Sequence, residues 1–164
     1  MKLLKKLPLL ALLAILTFSC STDSIDDKAD ALIENLTVPP TKTIETEILN
    51  LINDHRLSLG LNPLGDLNVV KSVAYSHTDY MVDQEEVSHD NFYTRSSYLK
   101  ANAGAKKVSE NVAYGYTSAA SVVDAWIKSD GHRANIEGDF SNFNISAEKS
   151  TDGKWYYTNI FIKK

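Results

Sequence analysis

Residues 143–163, FNISAEKSTDGKWYYTNIFIK, decide the fold class. The flanks alternate apolar and polar side chains, the period of a half-buried strand, and Asp152-Gly153 between them is a tight-turn signal. The chain therefore closes on an antiparallel hairpin. Upstream the period changes. Ile44, Ile48, Leu51 and Ile52 recur at helical spacing through TIETEILNLINDHRLSLG (43–60), with Thr43 as the expected N-cap and Gly60 as the C-cap. Leu67, Val70, Val73, Ala74, His77 and Met81 form a second apolar stripe behind Asp66, which is placed to cap it. SHDNFYTR (88–95) reads as loop, SSYLKANAGA (96–105) as a short helix stopped by Gly104, VSENVAYGY (108–116) as strand-like, and SAASVVDAWIKSDG (118–131) as an amphipathic helix with Val122, Val123 and Trp126 inward. Helices come first and a hairpin last, without βαβ alternation, so the chain is α+β.

The 164 residues, 43% hydrophobic and 23% charged, suffice for one compact core. The formal charge is −4, and neither a basic stripe nor a Gly-rich phosphate loop is present, which argues against a nucleic-acid partner. The N-terminus stands apart. MKLLKK is basic and LPLLALLAILTF is apolar over 12 residues, too short for a bilayer core of roughly 30 Å. Residues 1–19 are read as an export signal. Setting aside its three lysines leaves the remainder at about −7.

Cys20 is the only cysteine, so no internal disulfide forms. Its place after LTFS resembles a bacterial lipobox, in which the thiol receives a diacylglycerol. Thr17 and Phe18 stand where leucine and a small residue are usual. Residues 20–43 are acidic, polar and end at Pro39-Pro40, and are expected to tether the domain, 44–164, to a membrane.

Four histidines bear on chemistry. His55 and His77 lie on helices, where core or rim packing is the simpler role. His89 and His132 lie in polar segments beside helix ends, and Glu110 precedes an apolar run and needs a partner if buried. These three side chains could share a divalent cation or hydrogen-bond one another; their spacings match no short metal motif. No nucleophile elbow is present, and Ser88, Ser109 and Ser129 are merely near the candidates in sequence. Arg133 and Asn135 are expected to brace a helix end, and Trp126, Trp155, Tyr156 and Phe161 to pack in the core. Tyr114 and Tyr116 are open between packing and lining a cleft.

ILNLINDHRLSLGLNPL, SHDNFYTR, SENVAYG, VVDAWIKSDGHRANI and KWYYTNIF, in that order, resemble successive motifs of the CAP superfamily, which includes cysteine-rich secretory proteins, antigen 5 and plant pathogenesis-related proteins. Asn53, Arg56, Gly60, Pro63 and Leu64 match the bacterial form of the first motif, and the matches span about residues 44–162. The resemblance implies a three-layer α-β-α sandwich with a central antiparallel sheet and a wide cleft. It assigns His89 and His132 to the cleft histidines and Glu110 to one of two glutamates. Ser129, followed by Asp130, stands where the second is usual, and Ser109 replaces a common glycine. Zinc or another divalent cation on His89, His132 and Glu110 is the implied cofactor, with Glu110 as third ligand or as base for a bound water. A binding module for a lipid, glycan or protein is the first expected function. A metal-dependent hydrolase of peptide or ester bonds, with His89, Glu110 and His132 as catalytic groups, is the second, and lipid or sterol binding the third.

Overall fold

A computed structural model describes residues 36–164. The export signal and Cys20 lie outside the described residues.

Helix α1 (Thr43–Ser58) begins one residue after Lys42, whose N–H donates to the Glu45 carboxylate at 2.7 Å. The N-cap is thus Lys42 rather than Thr43, and the third helical residue satisfies its donor. Gly60, at φ +72°, follows the helix end and lets Leu61 N–H return to the Arg56 carbonyl. Strand β1 (Gly65–Asp66) is followed by α2 (Asn68–Gln84), α3 (Phe92–Ala103), β2 (Lys107–Tyr114), α4 (Ala119–Lys128), α5 (Asp130–Ile136), β3 (Asn142–Lys149) and β4 (Trp155–Lys163).

The sheet order is β1-β3-β4-β2. The three long strands pair antiparallel, with Phe143 opposite Phe161 and Glu110 opposite Ile160. The two-residue β1 adds a parallel pairing to β3, so the sheet is mixed rather than purely antiparallel. Two residues are too few to leave a period in sequence.

Alternation along β4 builds two cores. Tyr157 and Phe161 face α1 and α4, meeting Ile48, Ile52, Val122 and Trp126. Ile160 and Ile162 face α2 and α3, meeting Val70, Val73, Ala74 and Leu99. The result is three layers, α-β-α. Leu36 packs against the second core, so ordered packing begins before residue 44. The buried Glu45–Lys71 ion pair, at 2.5 Å, ties α1 to α2. Among the described residues no helix is long and apolar enough to cross a membrane.

Three sequence expectations shift locally. The N-cap of α2 is Leu67, because Asp66 belongs to β1. The stretch 92–95, expected as loop, is the first turn of α3, entered through Asn91 at φ +58°. The single helix expected over 118–131 breaks at Ser129, whose extended backbone starts the separate α5 carrying His132. Strand β2 lies at the free edge of the sheet, and this placement builds the site.

Candidate functional site

Glu110 and Asn111, neighbours on β2, point to opposite faces of the sheet, as strand alternation requires. Each positions one histidine.

On the α2–α3 side, Glu110 is almost fully buried. Its carboxylate accepts from Arg95 Nε at 2.9 Å and Nη2 at 2.8 Å, and from His89 Nδ1 at 2.9 Å. Burial alone would raise the Glu110 pKa. The His89 hydrogen bond, the Arg95 charge and nearby His77 outweigh it and hold the group below the usual carboxylate range. Because an ionised carboxylate only accepts, the proton of neutral His89 sits on Nδ1 and its Nε2 carries the lone pair. The loop bearing His89 is pinned from both sides. His77 Nε2 donates to the Ser88 carbonyl at 2.8 Å, and Arg95 Nη1 donates to the Asp90 carbonyl. Burial first, and then the Arg95 charge, push the His77 pKa down to about 4, so this ring is a neutral prop at pH 7.

On the other face, Asn111 Nδ2 donates to the His132 carbonyl at 3.1 Å. Asn135 Nδ2 donates to Asn111 Oδ1 at 2.8 Å and to the Glu110 carbonyl at 3.2 Å. Two amides therefore staple α5 to β2. The His132 pKa is lowered by burial and by the proximity of His89, which leaves it neutral at pH 7.

The imidazoles reach past the outer edge of β2 into one cleft of about 510 Å³. Its walls include Val87, Tyr114, Tyr116 and Trp126. The indole donates to the Val112 carbonyl at 3.2 Å, covering part of the strand edge. The His89 side chain is 54% exposed, against 1% for Glu110. The cleft thus presents two imidazoles at an aromatic wall, with the carboxylate behind one of them.

The other candidates fall elsewhere. His55 bonds Glu137 at 2.9 Å, outside the cleft lining. Ser88 and Ser129 line the cleft, whereas Ser109 Oγ is buried without a partner and is absent from its walls. Arg133 braces the Ile127 carbonyl and Asp130. Tyr114 and Tyr116 line the cleft. Sequence reasoning passed over Arg95, whose one available signal is an arginine on the Arg95–Leu99–Ala103 stripe that α3 buries.

Whether these residues suit a divalent cation depends on the donors left over. Both Glu110 oxygens are engaged by Arg95, and among the described residues no group of three His, Cys, Asp or Glu side chains is placed to hold a metal ion. The donor set available toward the cleft is two imidazole nitrogens, with Glu110 one shell behind His89.

A family model described as the cysteine-rich secretory protein family, CAP, matches residues 49–161. A curated membrane protein of Bacillus subtilis, YlbC, itself described as uncharacterized, is 29% identical over 126 residues. The match takes in 74% of this chain and 35% of YlbC, so the chain spans about a third of that relative. Among solved structures, an outer surface protein of Borrelia burgdorferi superposes at TM-score 0.69 with 21% identity, over 79% of this chain and 99% of that one. An extracellular SCP-domain protein of Bacillus anthracis gives 0.64 with 23% identity, over 77% and 45%. A cysteine-rich secretory protein of Staphylococcus aureus gives 0.62 with 22% identity, over 76% and 41%. At these identities the structural likeness speaks to the fold.

Proposed function

The chain belongs to the cysteine-rich secretory protein family, and from that premise we propose that it is an extracytoplasmic ligand-binding module acting through the cleft beside β2. The observation that carries this reading is the pairing of His89 and His132 at an aromatic-walled hollow, with Glu110 withdrawn behind His89. A hollow of this size suits a ligand with an apolar part and a few polar anchors. The extracellular and outer-surface proteins among the structural relatives, and the basic-then-apolar N-terminus, support a location outside the cytoplasm. A diacylglycerol on Cys20 would tether the domain to a membrane.

A divalent cation, zinc or another borderline ion, would be held by His89 Nε2 and His132, leaving positions open toward the cleft; when bound it would supply a Lewis-acidic anchor for a ligand oxygen. Glu110 orients His89 and raises its basicity rather than ligating. A carboxylate paired to arginine and held below its usual pKa is a poor base, so the geometry favours binding over hydrolysis.

Isothermal titration with zinc chloride tests the pair. Heat of binding is expected for wild type, none for His89→Ala or His132→Ala, and affinity lowered about 10- to 100-fold for Glu110→Gln. Equal binding by all four proteins would remove the imidazole pair from the proposal.

A further inference from the structure

The cleft does not end at Tyr114. The ring lines a second hollow of about 260 Å³, shared with Glu85, Ser150, Asp152, Lys154 and Tyr156. Tyr114 and Tyr156 pack at 4.6 Å, and Lys154 Nζ lies 5.6 Å from the Tyr114 ring centroid and 3.1 Å from Asp152. An ammonium group of the chain itself thus sits against an aromatic face and a carboxylate, the arrangement that recognises organic cations. The margin on the α2 side is also acidic. The segment 83–90, DQEEVSHD, holds four carboxylates without a lysine or arginine, and Glu85 opens onto the hollow. The main cleft adds an apolar strip. Of the seven large hydrophobic side chains exposed among the described residues, three, Val87, Tyr114 and Tyr116, line the main cleft.

Resting on the cleft reading above, we propose that its ligand is a basic polypeptide segment. An apolar side chain of the segment lies against Val87, Tyr114 and Tyr116, and a lysine or arginine of the segment enters the hollow between Glu85 and Asp152. Lys154 occupies the Asp152 and Tyr114 side of that hollow in the free protein. Its ion pair is more than half exposed on both sides, so the exchange costs little. Charge complementarity selects the partner: the apolar strip accepts many ligands, but this rim repels anionic ones.

The test is a nuclear magnetic resonance titration with acetyl-Ser-Leu-Lys-Leu-Lys-Ser-amide and with its counterpart in which glutamine replaces lysine. Shifts of the Val87, Tyr114 and Tyr116 amides report occupancy. The lysine peptide is expected to bind, and more weakly as salt rises. Glu85→Gln and Asp152→Asn each weaken it about two- to fivefold, and Lys154→Ala, which removes the resident cation, strengthens it by a similar factor. Equal affinity for both peptides would sink the charge argument while leaving the cleft as a binding site. So would weaker binding in Lys154→Ala. Absence of binding by either peptide refutes the inference, and the zinc titration then judges the cleft independently.

Discussion

Arg95→Met is the perturbation that probes the site's electrostatics most deeply. Arg95 and Glu110 have side chains only 5% and 1% exposed and form a bidentate pair. Breaking one partner of such a pair strands the other charge in the interior and typically costs about 3–5 kcal/mol. The variant's thermal midpoint should fall by on the order of 10 °C or more. The cost should also depend on pH. In the wild type the depressed Glu110 pKa contributes stability that is present above the unfolded-state value, about 4.3, and is lost as pH falls through the lower folded-state value. Without Arg95 the raising effect of burial is less opposed, so protonation relieves the variant more than the wild type. Urea unfolding at pH 7 and at pH 4.5 measures this directly, and the gap between the proteins should narrow in acid. Adding Glu110→Gln to Arg95→Met should recover much of the loss. A deficit under about 1 kcal/mol, or one unchanged with pH, would refute the claim that Arg95 neutralises a buried Glu110.

Other consequences follow from the same geometry. His77, with a folded-state pKa of about 4 against 6.5, should remain neutral by imidazole resonance at pH 5.5. Acidification from pH 6.5 to 4 should cost about 3 kcal/mol through this group, because the unfolded chain binds the proton first. A His77 that titrates near 6.5 contradicts its burial. Gly138→Ala places a Cβ 2.6 Å from the Phe140 ring and 2.9 Å from the Ala134 carbonyl, and should cost about 1–3 kcal/mol by overpacking in chemical denaturation. Mass spectrometry of the N-terminal peptide from native membranes should find a diacylglycerol on Cys20; an unmodified thiol there removes the tether.

The sequence carried the fold wherever a period was long enough to see. The β3–β4 hairpin, the stripe of α2 and the Trp126 face of α4 each repeat over several turns or strand pairs. Strand β1, with two residues, has no period at all. The break at Ser129 was hidden because Ser129, Asp130 and Gly131 read equally well as the end of one helix. The site was legible in part. Residue chemistry singled out His89, Glu110 and His132, but only the motif order suggested that they approach one another. What sequence could not convey is how Glu110 is used. Its partner Arg95 lies in a stretch expected as loop, and a strand-like reading of 108–116 sends Glu110 and Asn111 to opposite faces without telling that β2 lies at the sheet's edge, where both faces meet one cleft. Local pattern reports burial, whereas the division of hydrogen bonds among neighbours is a tertiary property.

Glu110 fixes His89 through Nδ1 and leaves its unprotonated Nε2 free in the cleft that His132 also lines. A long-range proton–nitrogen correlation spectrum of the histidine rings at about pH 7.5, above the unperturbed imidazole pKa, tests it most directly. His89 is expected as the Nδ1–H tautomer, with zinc shifting Nε2 of His89 and a ring nitrogen of His132 together. An Nε2–H tautomer for His89, or zinc shifts confined to one ring, would contradict it.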